Sequence, residues 1–341
     1  MRTRHLVVIG ASSGGIEALR ELVRGLPRDF PAPICVVLHS SPQAPGVLDA
    51  ILARAGPLPV ANARDRDRLT PGRIYVAPPD CHLLIEPGQV RITKGPRENR
   101  FRPAIDPLFR SAAQVFGPAA IGVILTGHLD DGTAGLWAIK QLGGTTVVQD
   151  PEDALFPSMP MSALAHVRVD HSVPLAEISR LLVRLTATVE VDTAETPVPE
   201  SMEVEVEISK EQNPLEAGLL RIGEPSSFSC PECHGVLLQL REGGRIRFRC
   251  HTGHAYSMDS LLAAIGEGIE ESLWIAVRAL EEGELLLRGM GEHLQSHGSA
   301  DAARLLDRAR EARQQSDVIR KIVTGREPLV PVPVQVSKPQ P

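Results

Sequence analysis

The feature that most constrains this chain is a series of short apolar runs in its first half, separated by helical patterns. Residues 6–9, 34–38, 74–77, 121–125 and 145–148 are apolar or β-branched at almost every position. A half-buried strand alternates apolar with polar residues. A run without alternation has both faces covered, as in a parallel sheet between two layers of helices. Helical periodicity falls at 15–26, 46–55, 107–115, 132–142 and 175–185, and 83–85 and 90–92 flank Pro87-Gly88 as a hairpin. The expected fold class is α/β, a doubly wound, mostly parallel sheet over residues 1–188.

Charge and cysteine usage narrow the setting. A net charge of −6 gives no general attraction to nucleic acid or an anionic membrane. The start, Met1-Arg2-Thr3-Arg4 before the first apolar run, has the charge of a secretory leader but too short an apolar stretch. No later stretch reaches the roughly 20 apolar residues that span a bilayer, so a cytoplasmic protein without membrane insertion is expected. The five cysteines, Cys35, Cys81, Cys230, Cys233 and Cys250, lack the dense spacing of a secreted disulfide scaffold.

Beyond the α/β region the pattern changes. Residues 189–225 are acidic and contain Pro197, Pro199 and Pro214, which reads as a linker. Within it Glu203-Val204-Glu205-Val206-Glu207-Ile208 alternates as a short strand would, and a solvated linker is the expectation. Residues 226–256 form a Cys/His segment, 257–325 two long helical patterns broken at Gly298, and 326–341 a Pro-rich tail expected to be disordered or extended.

The first run leads into Gly10-Ala11-Ser12-Ser13-Gly14-Gly15 and then a helix, so Ser12 lies at the carboxyl end of a strand, where such sheets bind ligands. Gly10, Ser12 and Gly14 satisfy Gly-x-Ser-x-Gly, a turn that exposes a serine beside helix amides. A loop that cradles dinucleotide phosphates is the rival reading, but it wants an acid at the end of the second strand. That strand ends in His39, and neither Gly-Lys-Ser nor Gly-Lys-Thr follows the turn. Serine and histidine at the ends of adjacent strands read as nucleophile and base. The run at 121–125 ends in Thr126-Gly127-His128-Leu129-Asp130-Asp131-Gly132, bringing an acid to the same sheet edge. Asp131 or Asp130 can fix the imidazole tautomer and stabilise the imidazolium, and one of them can instead cap the next helix.

Residues 9–15, Leu38-His39, 122–127 and Asp131-Gly132 resemble the catalytic segments of chemotaxis methylesterases of the CheB type, as do 71–82 and 99–106, over about residues 6–185. The resemblance implies a protein-glutamate methylesterase, a serine hydrolase with Ser12 as nucleophile, His39 as base and Asp131 as orienting acid. The family also deamidates glutamine, needs no cofactor for catalysis, and acts on methylated cytoplasmic helices of chemoreceptors. The amides of Ser13 and His128 are the expected oxyanion donors. Arg100 and Arg102 are candidates for the substrate groove, or else solvated loop cations or partners of Asp106. The family usually has methionine, glycine and asparagine where this chain has His128, Leu129 and Asp130. Its members usually carry an amino-terminal receiver domain, and this sequence, whose catalytic pattern starts at once, is expected to work without that switch. The alternative is a noncatalytic signalling scaffold that retains the fold.

The Cys/His segment reads Cys230-Pro231-Glu232-Cys233, then Cys250-His251-Thr252-Gly253-His254, a C-x2-C-x16-C-x3-H spacing. Two tight knuckles can aim three sulfurs and an imidazole at one tetrahedral zinc ion, with His251 as the other choice of fourth ligand. A closed set of four leaves no open position, so a structural zinc-ribbon-like module is expected, energetically separable from the catalytic domain. The helices that follow, a helical hairpin, place Leu261, Leu262, Ile265, Ile269, Leu273, Val277 and Leu280 on one face, which suits dimerisation or partner docking.

Overall fold

Side chains along a strand point alternately to its two faces, and the first strand of this protein sends each face into a separate core. The structure, a computed structural model, describes residues 2, 3, 5–187, 191, 192 and 197–329. In chain order its first part runs β1 (Leu6–Ala11), α1 (Gly15–Arg24), β2 (Ile34–Leu38), α2 (Leu48–Ala55), β3 (Val60–Asn62), β4 (Ile74–Val76), β5 (His82–Glu86) and β6 (Gln89–Thr93). It continues through α3 (Ile105–Phe116), β7 (Ala120–Ile124), α4 (Thr133–Gln141), β8 (Thr145–Gln149), α5 (Ser158–His166), β9 (His171–Val173) and α6 (Leu175–Leu185). Seven strands form one sheet in the order β9-β8-β7-β1-β2-β4-β3, every neighbouring pair parallel, and β5 and β6 pair apart from it as the expected hairpin. Leu6 and Val8 face a core shared with Leu108 and Phe109 of α3 and Leu136 of α4. Val7 and Ile9 face the other, with Leu19 and Leu22 of α1 and Ile178 and Leu182 of α6.

The winding direction changes at β1, which has β2 on one side and β7 on the other. In such sheets the crevice at the carboxyl ends of the strands beside that switch is the ligand site. Three elements escaped the sequence reading. Strands β3 and β9 are three-residue edges, too short for periodicity to register. In α5, Pro160 lies in the first turn, where no intrahelical N–H is needed, so the proline does not interrupt the helix.

The expected solvated linker at 189–225 is corrected by the structure. It carries α7 (Glu200–Ser209), α8 (Pro214–Ala217) and α9 (Leu219–Ile222), and Gly223 opens a second sheet. Met202 joins the first core, and Val204, Ile208 and Leu219 form a further cluster with Leu238 and Leu240. The every-other-residue charge pattern misled because Glu205 is itself a core residue, fully buried against three arginines. Glu200 and Glu203 sit in the first turn, where the positive end of the helix dipole favours them.

The second sheet is antiparallel, β10 (Gly223–Ser229), β11 (Val236–Glu242), β12 (Arg245–Cys250) and β13 (Ala255–Ser257), in that order. The chain divides into two compact units at Leu261, so this ribbon shares one unit with the parallel sheet. A buried ionic seam joins them. Arg249 of β12 bonds Glu205 of α7 at 2.7 and 2.8 Å and Glu98, in the loop before α3, at 2.8 Å. Arg247 reaches Glu205 at 2.9 Å and Glu242 at 3.2 Å, while Arg110 of α3 pairs with Glu98. Three acids and three arginines cancel in charge, the condition under which ions tolerate burial.

The second unit, from Leu262 on, holds most of α10 (Met258–Ser296) and all of α11 (Asp301–Gly325), the expected helical hairpin. They turn at Gly298, and Arg320 bonds Glu281 at 2.6 Å and stacks over Trp274. The tail at 330–341 and residues 188–190 and 193–196 lie outside the described residues. Among the described residues no helix is long and apolar enough to cross a membrane.

Candidate active site

Parallel pairing itself assembles the site. The amide of Ser12 donates to Thr126 O at 3.0 Å and that of His39 to Ala11 O at 3.1 Å, so the ladder continues past the strand ends and draws three loops together. Gly14, at φ 74°, makes the left-handed turn into α1 that lifts Ser12 out of the sheet. A Cβ on Gly127 would stand 2.8 Å from that of Ser12 and 2.1 Å from the Met159 sulfur, so only glycine lets this loop approach the serine.

Ser12 Oγ lies 3.1 Å from His39 Nδ1, and His39 Nε2 lies 2.7 Å from Asp131 Oδ2. A carboxylate only accepts, so Nε2 carries the proton and Nδ1 is left to accept from the serine hydroxyl. The His39 and Asp131 side chains are each 2% exposed. Phe101 stacks on the imidazole at 3.8 Å and 9°, fixing the ring plane. Asp131 Oδ2 also accepts from Ile105 N at 2.7 Å, and Oδ1 from Asn99 Nδ2 at 2.8 Å, Gly132 N at 3.0 Å and Asp106 N at 3.3 Å. Burial alone would raise its pKa, but the bonds from His39, Ile105 and Asn99 outweigh that and hold it below the ordinary value.

Asp130, the other candidate acid, turns away from His39 and accepts from Ser257 Oγ at 2.7 Å. Burial pushes it up to about 7, against the hydroxyl that pulls it down. Asp106 is raised to about 6 by burial and by the neighbouring charge of Asp131, and its Oδ1 caps α4 by accepting from Gly135 N at 2.6 Å.

A cavity of about 520 Å³ opens before Ser12 and His39, with Ser13, His128 and Leu129 on one wall. Among the described residues neither the Ser13 nor the His128 amide has a protein acceptor. The His128 ring packs on Phe156. Leu129 adopts φ 60°, a conformation that suits glycine and strains a larger residue. Arg100 and Arg102 line the cavity, but Arg102 is committed to Asp80, at 2.7 and 3.0 Å, and to the carbonyls of Lys94 and Gly95. The sequence reading missed Asn99, Phe101 and Asp106 as site residues. They lie within the 99–106 segment, but their roles depend on contacts made across the fold.

In the ribbon, the donor atoms of Cys230, Cys233, Cys250 and His254 lie within 4.8 Å of one another, a set that could hold a metal ion. Cys233 and Cys250 sulfurs are 3.6 Å apart, and His254 Nδ1 is 3.6 and 3.7 Å from those of Cys250 and Cys230. His254 Nε2 faces Glu232 at 3.4 Å, a carboxylate that fixes the ring, and Glu232 also accepts from Tyr256 at 3.0 Å. His251, the other choice of ligand, is exposed and packs over Gly235 outside the cluster.

A serine, a histidine and an aspartate joined by hydrogen bonds at the switch of a doubly wound parallel sheet define the class of this protein: an α/β fold carrying a nucleophile–base–acid trio. The CheB methylesterase model matches residues 7–182, just over half of the chain, and the chain belongs to that family. A protein-glutamate methylesterase/protein-glutamine glutaminase 2 of Anaeromyxobacter dehalogenans is 43% identical over 182 residues, 53% of this chain and 53% of that protein. This chain thus spans about half of that relative's length. A putative protein of the same description from Leptospira interrogans is 41% identical over 180 residues, 52% of this chain and 93% of that one. The CheB methylesterase catalytic domain of Thermotoga maritima superposes with a TM-score of 0.52 at 36% identity, covering 54% of this chain and 99% of that domain.

Proposed function

We propose that this protein is a cytoplasmic serine esterase that demethylates glutamyl methyl esters on chemoreceptor helices. The observation that carries the reading is the unbroken Ser12–His39–Asp131 hydrogen-bond line, supported by the names of the relatives. Ser12 Oγ attacks the ester carbonyl while His39 Nδ1 takes its proton, and Asp131 stabilises the resulting imidazolium. The Ser13 and His128 amides receive the oxyanion. His39 gives the proton to the departing methoxy oxygen, so that methanol leaves, then takes a proton from water as it attacks the acyl-serine and passes it to Ser12 Oγ, releasing the glutamate. The same steps on a glutamine side chain release ammonia. Arg100 and Arg102, which line the cavity, are the residues proposed to line the substrate groove.

The ribbon cluster is proposed to hold structural zinc. With Zn–S bonds of about 2.3 Å a tetrahedron has edges of about 3.8 Å, close to the observed separations. Three cysteines and a histidine leave no position for substrate. Dimerisation or docking through the helical hairpin is proposed on exposed residues of α10, Leu262 and Ile269 of the expected stripe with Leu285, Leu286 and Met290 beyond it, whereas Leu261 and Val277 of that stripe are buried.

Methanol release from methylated receptor tests the reading. Ser12→Ala is expected to lose about 10⁶-fold in kcat, and Asp131→Asn about 10⁴-fold, whereas Asp130→Asn stays within a few-fold. Unchanged methanol release by Ser12→Ala overturns Ser12 as the nucleophile, and a wild-type chain that releases no methanol leaves the noncatalytic scaffold.

A further inference from the structure

One buried residue touches both the ribbon and the trio. Asn99 is 2% exposed and adopts φ 49°, a left-handed conformation that asparagine tolerates better than most residues. Its partners fix which way the carboxamide faces. Nδ2 donates to two carboxylates, Asp131 Oδ1 at 2.8 Å and Asp106 Oδ2 at 2.9 Å. Oδ1 accepts from the Ser257 amide at 2.9 Å and the Ser260 hydroxyl at 3.2 Å, and the Asn99 amide donates to Ala255 O at 2.8 Å. Ala255 and Ser257 are the ends of β13, and the residue before it is His254 of the Cys/His cluster. Ser257 Oγ meanwhile holds Asp130. A line of hydrogen bonds therefore runs from the strand next to the cluster, through Asn99, to the Asp131 oxygen that His39 does not use.

We propose that Asn99 is a positioning residue for Asp131, clamped by β13, so that the metal-loaded ribbon is required for full esterase activity. The inference rests on the esterase and metal readings above. Asp131 has His39 at one oxygen and, nearby, the carboxyls of Asp106 on α3 and Asp130 beside it. Among the described residues the Asn99 carboxamide is the one side-chain donor that bridges Asp131 to Asp106. Without it two carboxylates face each other in a dry site, and Oδ1 of Asp131 keeps only the backbone amides of Gly132 and Asp106 to hold the carboxylate in line with Nε2. Without an ordered β13 the carboxamide oxygen loses the Ser257 donor that aims it, and the Asn99 backbone amide loses its acceptor, Ala255 O.

The test uses the full chain and hydrolysis of p-nitrophenyl acetate, a small ester that reads the trio without receptor contacts. Asn99→Gly removes the carboxamide and tolerates the backbone conformation. It is expected to lower kcat about 10- to 100-fold with KM within about twofold. The acid limb of the rate should move to higher pH, because a carboxylate stripped of a donor holds the proton it shares with His39 more tightly. Removing metal from the wild-type chain, with metal content measured and circular dichroism following the parallel-sheet unit, should give the same signature and be reversed by added Zn²⁺. In Asn99→Gly, metal removal should add little, since the two changes act through one path. Ser260→Ala, which deletes only one bond to Asn99, should show a smaller loss of the same kind and serves if Asn99→Gly fails to fold. An unchanged kcat and pH profile in these variants overturns the proposal. So does metal removal that is equally damaging in wild type and Asn99→Gly. A wild-type chain that shows no Ser12-dependent hydrolysis, or that binds no metal, instead overturns the underlying reading and the inference with it.

Discussion

The parallel sheet and the seam that joins it to the ribbon are both fully buried, yet they are built from opposite materials. The sheet core is apolar on both faces, with Val7, Ile9, Leu19 and Leu182 on one side and Leu6, Val8, Leu108 and Phe109 on the other. The seam is Glu98, Glu205 and Glu242 against Arg110, Arg247 and Arg249. Apolar contacts are non-directional, so one side chain of similar volume can replace another. A buried ion pair depends on its partner, and loss of one member leaves a desolvated charge. The contrast is between a core that tolerates exchange and one that does not.

The sharpest way to break that contrast is a pair of substitutions that conserve volume. Glu205→Gln is expected to cost about 3–5 kcal/mol in chemical denaturation, since Arg110, Arg247 and Arg249 lose one of the two acids they share. Leu19→Met in the sheet core should cost under about 1.5 kcal/mol. Equal costs would show that the seam contributes nothing beyond its packing.

Acid distinguishes the two regions next. Burial would raise Glu98 and Glu205, but Arg110, Arg249 and Arg247 outweigh it and hold both carboxyls below the ordinary value. A depressed carboxylate contributes stability above its unfolded pKa and loses it as pH falls through the folded one. Thermal melts should therefore show wild type losing stability below about pH 4, and Glu205→Gln losing less over the same interval. Parallel losses in both would separate acid sensitivity from the seam.

The smallest expected effect runs the other way. Asp130 is raised to about 7 by burial, so its folded form binds a proton that the unfolded chain releases near pH 4, and the wild type loses stability as pH rises from about 4 to 7. Asp130→Asn keeps an acceptor for Ser257 and should gain on the order of 1 kcal/mol at pH 8 relative to pH 5. A gain independent of pH would assign the effect to packing.

The same contrast decides what the sequence made legible. Five of the seven strands of the sheet, its helices apart from α5, the hairpin and the positions of Ser12, His39 and Asp131 follow from apolar periodicity and from loops at strand ends. The seam does not. Glu205 in an acidic, proline-containing stretch reads as solvated because its arginines come from β12 and α3, about 40 and 95 residues away in sequence. Position at a strand end does not choose between the adjacent Asp131 and Asp130, and it is the family resemblance that points to Asp131; in the fold Asp131 bonds His39 while Asp130 bonds Ser257 at the end of β13. Phe101 and Asn99 belonged to a recognisable segment, but stacking on His39 and bridging to β13 are properties of the folded chain.

The seam also changes what counts as a transplantable part. The stretch shared with the relatives ends near residue 182, whereas the compact unit runs on to Leu261. Grafting the Cys/His sheet onto another scaffold would mean carrying Glu98, Asn99 and Arg110 with it, residues more than a hundred positions upstream. The portable piece is a patch of folded surface, with no single pair of cut points in the gene.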